Sequence, residues 1–242
     1  MALSVGVDVS KTRGLDVVVL DERRRLFDGP RSRVSPSALG ALLVSLGDRV
    51  GVVAIDSPSA PGLHGPARPC EVELRRRGVQ VFSTASDPCC FAGPFFDWAR
   101  VGMRAFEVAR EAGFELFGEG GGVYRRALEV FPHASDVFLR GELPPAGTTR
   151  SVAAKRTWRS GTLRRAGVEV GPRASLDIVD AALAALTGQL ALEGRFEAIG
   201  EDPYFIVVPD VGSAPSLGRF RRAEAPGGPL PAPSVPARGA KS

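Results

Sequence analysis

Five acidic residues stand where an open α/β sheet would gather them. Asp8 ends the run Leu3–Val7, Asp56 ends Gly51–Ile55, and Glu129 lies near the end of Val123–Phe131. Asp177 and Asp180 fall in the first turns of an apolar helical stretch that follows Ser175. Hard divalent cations such as Mg2+ or Mn2+ take a few carboxylate oxygens and leave positions open for water and phosphate. Two such ions about 4 Å apart can activate a water and stabilise a leaving oxyanion. Carboxylates delivered from separate elements repel one another without a cation, so their convergence points to one. Each acid also has a plain structural reading. Asp56 before Ser57-Pro58 can cap a turn, Asp177 and Asp180 can complement a helix N-terminus, and Glu129 can be a surface acid on an edge strand. Asp8, just before the polar stretch Ser10-Lys11-Thr12, has the fewest structural reasons to be acidic.

The elements that must position these acids follow from periodicity. Leu3–Asp8 and the β-branched Leu15–Leu20 read as strands, and Arg24–Phe27 returns as a third across a turn at Asp21-Glu22-Arg23. Ser35 caps a helix that starts at Pro36 and runs to about Leu46. Gly51–Ile55 is apolar throughout, as in a parallel strand buried on both faces. Residues 57–122 read as an insertion with a short helix over 68–77, a strand over Val79–Phe82 and a helix over 97–117. After the strand Val123–Phe131 come a basic helix over Val152–Ala166, a helix over Leu176–Leu192 and an extended piece at Phe205–Val208. The order β-β-β-α-β, then helices, then β-α-α, is that of a ribonuclease-H-like α/β fold: a mixed sheet of about five strands flanked by helices. A right-handed crossover sets the strand ending at Asp8 beside the one ending at Asp56. Ligand sites in open α/β sheets lie at those carboxyl ends.

Bulk composition narrows the classes. A chain of 242 residues with 44% hydrophobic and 24% charged side chains can build a sizeable core. Its longest apolar segment, Ala181–Leu192, is broken by Thr187-Gly188-Gln189, so no membrane span is expected. The N-terminus lacks a basic lead and carries an acid by Asp8, so no signal peptide is expected and the reading is cytoplasmic. Cys70, Cys89 and Cys90 give neither a disulfide framework nor zinc spacing. The whole net charge of +4 sits in residues 211–242, where five basic residues face Glu224 alone. With six Pro and five Gly in 32 residues, that stretch reads as a disordered tail after a domain over 1–210.

Basic clusters occur at Arg23–Arg25, Arg75–Arg77 and Arg125-Arg126, and read as solvated faces. Lys155, Arg156 and Arg159 lie on neighbouring turns of the basic helix and form a candidate nucleic-acid-binding face. Trp158 among them can stack a base or belong to the core. His64 reads as incidental. His133, four residues past Glu129, can approach the site as a proton carrier or simply open a helix. The glycine run 118–122 lacks a following Lys-Ser/Thr and reads as a connector, not a phosphate loop.

Several stretches resemble the family catalogued as domain of unknown function 429. They are Gly6-Val7-Asp8, Ala54-Ile55-Asp56-Ser57-Pro58, Arg68-Pro69-Cys70-Glu71 through Arg75, Leu128-Glu129-Val130-Phe131-Pro132, Lys155-Arg156 with Leu163–Gly167, Asp177 through Ala182, and the Gly200–Pro209 ending. The resemblance spans residues 3–209. It implies a ribonuclease-H-like nuclease with acids at Asp8, Asp56, Glu129 and Asp180, and it usually has an acid where Glu71 stands. The segment Asp87–Phe96 matches no pattern of the family. The opening Gly6-Val7-Asp8-Val9-Ser10-Lys11 also looks like the start of transposases with a Holliday-junction-resolvase-like catalytic domain. The leading expectation is a Mg2+- or Mn2+-dependent nuclease acting on DNA or RNA. Asp8, Asp56, Glu129 and Asp180 would be catalytic, with Asp177 as a further metal ligand. The alternatives are a non-catalytic binding module on the same scaffold, which predicts that the acids do not converge, and a phosphotransferase of the actin-like class. The latter wants glycines after the first-strand acid, and Val9-Ser10-Lys11-Thr12 has none.

Overall fold

The computed structural model describes residues 2–10, 14–63, 65–86, 93, 96–118, 120–213 and 219–224. A hairpin of β1 (Leu3–Ser10) and β2 (Gly14–Leu20) opens the chain, followed by β3 (Arg31–Val34), α1 (Pro36–Leu46) and β4 (Val50–Asp56). The excursion beyond β4 carries α2 (Pro69–Arg76), α3 (Asp97–Glu111) and β5 (Glu115–Leu116). It returns as β6 (Arg126–Glu129), then α4 (Pro132–Arg140) and β7 (Glu142–Leu143). The basic α5 (Val152–Arg165), the apolar α6 (Leu176–Leu192), the hairpin β8 (Phe196–Glu201) and β9 (Tyr204–Pro209), and β10 (Arg221–Arg222) complete it. The main sheet runs β3-β2-β1-β4-β6-β5, with β1, β4, β6 and β5 mutually parallel and β2 and β3 antiparallel to their neighbours. The result is a mixed α/β fold, and the strands ending at Asp8 and Asp56 are neighbours in register. No helix among the described residues is long and apolar enough to cross a membrane.

Alternation along the central strands sorts side chains onto two faces. Leu3, Val5 and Val7 of β1, with Val53 and Ile55 of β4, pack under α1 and α3 through Leu39, Leu43, Ala105 and Phe106. The opposite face of β1 presents Ser4, Gly6 and Asp8, and α6 lies on it. Val18 and Leu20 of β2 join that layer with Ile178, Ala181, Ala182 and Ala185. Ser175 caps α6 by accepting from the Ile178 N–H at 3.2 Å, and residues Ile178–Ala191 are all buried. The layer is unusually close: a Cβ at Gly6 would lie 2.1 Å from the Ala181 carbonyl oxygen and 2.2 Å from the Ala185 nitrogen. Ser4 Oγ donates to the Ala185 carbonyl at 2.7 Å across the same contact.

Some elements differ from the sequence reading. The third strand is Arg31–Val34, not Arg24–Phe27. Asp21 Oδ1 accepts from the N–H groups of Arg23 and Arg25, Arg24 turns the chain at φ 61°, and only Leu26 bridges back to Leu20. Val79–Phe82 is irregular, α3 ends at Glu111, and the strand expected over Val123–Phe131 shortens to Arg126–Glu129. Phe196–Glu201 pairs with Tyr204–Pro209 as a hairpin of which only the second strand was expected. The expectation of an unpacked tail from Val211 is corrected at 219–224, where Phe220 is buried against Phe138 at 4.8 Å between ring centroids. There Arg221-Arg222 pair in parallel with Glu142-Leu143. Residues 214–218 and 225–242, His64, and Asp87–Cys90 with Phe91 and Ala92 lie outside the described residues.

The Gly6 contact is with backbone atoms that cannot rotate aside. Gly6→Ala is expected to lose about 1–3 kcal/mol or more of unfolding free energy, read by urea denaturation. Gly29→Ala, with open space around its Cβ, should change stability by less than about 0.5 kcal/mol.

Candidate metal centre

Register brings three acids side by side on the face covered by α6. Asp8 of β1 lies opposite Asp16 of β2 and level with Asp56 of β4. The last helix then lowers its own acids onto them. Asp177 lies one turn before Ala181 and Asp180 just before it, and Ala181 is the residue that touches Gly6. One carboxylate oxygen from each of Asp8, Asp16 and Asp177 lies within 4.8 Å of the others. Asp8 is 9% exposed and Asp16 4%. Asp56 and Asp180 act electrostatically on Asp8 from the same pocket of charge.

This crowding moves protons. Burial first, and then the charges of Asp56, Asp180, Asp177 and Asp16, hold the Asp8 carboxyl well above its ordinary value. Asp56 is pushed up to about 8 by burial and by Asp180, against the opposing pull of Arg159. Asp180 is pushed up to about 6 by burial, although the Arg159 guanidinium pulls it down. Arg159 Nη1 donates to Asp180 Oδ2 at 2.5 Å, while Asp180 Oδ1 is buried with no hydrogen-bond partner among the described residues. An orphaned carboxylate oxygen beside a three-acid cluster fits a hard divalent cation, whose charge would satisfy what no side chain does.

The sequence-derived site residues thus divide. Asp8, Asp56, Asp177 and Asp180 come together. Glu129 does not enter the cluster, although its charge reaches Asp56. Its register partner is Ile55, not Asp56, so alternation starts it on the other face. There Arg68 grips it, Nη2 to Oε1 at 2.5 Å and Nη1 to Oε2 at 2.9 Å, and the Ser59 N–H adds a third bond at 2.8 Å. Arg68 also donates from Nε to Glu71 Oε1 at 2.9 Å. On α5, Arg159 faces the acids, Lys155 acts on Asp180, and Arg156 is exposed. Trp158 is covered by the Arg140 guanidinium 3.6 Å from its ring centroid, so that ring face is taken. Burial and the nearby Arg159, Lys155 and Arg222 push the His133 imidazole down to about 4.

Sequence reasoning missed Asp16, and the signal was present. An acid interrupts the β-branched run Leu15–Leu20 as far from the hairpin turn as Asp8 is, since Ser10 pairs with Gly14. Equal spacing from a turn puts two residues opposite each other.

In the absence of divalent cations the raised acids bind protons that the unfolded chain, with carboxyls near 3.8, has released. Stability must therefore fall as pH rises from about 4 to about 8. Thermal melts in EDTA are expected to show a lower midpoint at pH 8 than at pH 5. Millimolar Mg2+ or Mn2+ should raise it, most strongly at pH 8, and Asp8→Asn should flatten both dependences. A midpoint independent of pH and of cation would be incompatible with a cluster of this kind.

Comparison with known proteins gives one finding. The model of the family described as "Protein of unknown function (DUF429)" matches residues 6–204. No curated protein shows a significant match, and no solved structure does either. The match covers most of the chain, from the residue that admits α6 to the last hairpin, and the chain belongs to this family of proteins of unknown function.

Proposed function

We propose that this chain is a Mg2+- or Mn2+-dependent nuclease that hydrolyses phosphodiester bonds of DNA or RNA. The observation that carries the reading is the convergence of Asp8, Asp16 and Asp177 with Asp56 and Asp180 in electrostatic contact. Five carboxyl groups crowded into one largely buried place are costly unless a cation neutralises them. In this reading Asp8, Asp16 and Asp177 hold the cation, and Asp56 and Asp180 complete the site from the other side of Asp8. A bound divalent cation supplies an activated water and neutralises charge on the phosphoryl oxygens and the leaving oxygen. Lys155 and the exposed Arg156 take backbone phosphates beside the cluster. Arg159, held by Asp180, supplies positive charge where the phosphate enters. In this reading Glu129 is left out of the metal site, and anchors Arg68 at the carboxyl end of β6.

The test is cleavage of labelled single-stranded DNA, duplex DNA and RNA with Mg2+, Mn2+ or EDTA. Cleavage is expected with either cation and not with EDTA. Asp8→Asn and Asp16→Asn should each lose more than the roughly 10–100-fold that removing a metal-ligand support costs. Lys155→Ala with Arg156→Ala should raise KM, leave kcat within a few fold, and lower the salt slope by about one for each phosphate no longer held. Nucleic-acid binding without cleavage under any of these conditions would replace the enzyme reading with that of a binding module.

A further inference from the structure

A cavity of about 330 Å3 opens beside the carboxylate cluster, and Asp56 lines it. The strand ends of β4 and β6 form one side of it and the excursion between those strands forms the other. Its wall is largely aromatic and aliphatic: Trp98, Phe82, Phe131, Val81 and Ile206.

Away from Asp56, the charged groups of the lining already partner one another. Glu129 accepts from Arg68 at both oxygens and from the Ser59 N–H. Glu71 accepts from the Arg68 and Thr84 N–H groups and from Arg68 Nε. One guanidinium against two carboxylates leaves this group net negative and with no spare cation, so it repels a phosphate. The volume is at the lower end for small-molecule sites. It suits one planar ring system and excludes a base pair still stacked in its duplex. The cavity therefore selects for an uncharged aromatic ring whose attached anion is held elsewhere, and the cation site lies at its Asp56 edge.

We propose that this cavity receives one unpaired nucleobase of the substrate, stacked against its aromatic wall, while the adjoining phosphate lies at the carboxylate cluster. The identity of the ligand rests on the nuclease reading; the shape and chemistry of the cavity do not. Since Arg68, Glu71 and Glu129 are spent on one another, recognition is through ring faces, which every base offers. The enzyme then acts on single strands or on nucleotides displaced from a duplex, with little preference among bases at this position.

Trp98 reports on the cavity directly. The chain has two tryptophans, so Trp158→Phe leaves Trp98 as the sole indole. W158F protein in millimolar Mg2+ is titrated with each of the four deoxynucleoside 5′-monophosphates and, separately, with inorganic phosphate. Saturable change in Trp98 emission is expected with all four nucleotides and none with phosphate. In the otherwise wild-type chain, Trp98→Ala should lower kcat/KM on single-stranded oligonucleotides about 10–100-fold. It should leave the cation-induced rise in melting temperature intact, and Trp98→Phe should restore most of the rate. Emission indifferent to nucleotides, or W98A cleaving as fast as wild type, overturns the proposal and leaves the nuclease reading standing. Saturable nucleotide binding at Trp98 in a protein that cleaves nothing with Mg2+ or Mn2+ supports the base site and removes the nuclease reading instead.

Discussion

The seating of α6 on β1 is the contact on which the rest depends. Gly6 has no side chain, and the helix backbone occupies the space one would need. Ala181, Ala182 and Ala185 keep the helix equally bare on its near side, and all three are fully buried. Ser4 then spends its hydroxyl on the Ala185 carbonyl, so even the polar atom in the interface binds the two elements together. An ordinary layer of branched side chains here would hold the helix farther from the sheet. Asp177 and Asp180 would then stand too far from Asp8 and Asp16 to form one cluster.

That proximity sets up a conflict which the surrounding structure contains without abolishing. Burial and mutual repulsion oppose ionisation at Asp8, Asp56 and Asp180. Arg159 relieves part of this through Asp180. Its own charge is reinforced by that pairing, against the pull of burial. The apolar core under β1 and β4 and the buried α6 supply the stability that holds the acids together, as at sites where local strain persists because the scaffold over-determines it. The arrangement is thus pre-organised: the fold itself has already gathered the carboxylates.

The sequence makes some of this legible and hides the rest for identifiable reasons. The neighbouring strand ends at Asp8 and Asp56 follow from crossover handedness and from the unbroken apolar character of Gly51–Ile55. The limits of α6 follow from the Ser175 cap and the apolar run after it. Asp16 stayed hidden because an acid inside a β-branched strand looks like one polar step on an exposed face, unless the hairpin register is worked out. Glu129 was misleading in the opposite way. It stands at a strand end like Asp56, but a register offset by one residue sends it to the other side. Its partner Arg68 is 61 positions away, beyond what local pattern can reveal. The strand Arg31–Val34 carries no apolar alternation, since its first three residues are exposed. The burial of Phe220 depends on the distant Phe138, which composition within the tail does not disclose.

The Arg68–Glu129 ion pair, with Ser59 donating to the same carboxylate, also ties the start of the long excursion to the carboxyl end of β6. The excursion is therefore anchored where it leaves β4, and the entropy of closing the loop changes only slowly with its length. The chain between α2 and α3 can then be lengthened, shortened or rewritten without shifting the strands that carry Asp8, Asp16 and Asp56. In modular terms, the carboxylate cluster is built into the sheet and α6, and the neighbouring cavity borrows half its wall from a replaceable cassette. Related chains can thus keep one carboxylate cluster and change the cavity beside it by exchanging that cassette alone.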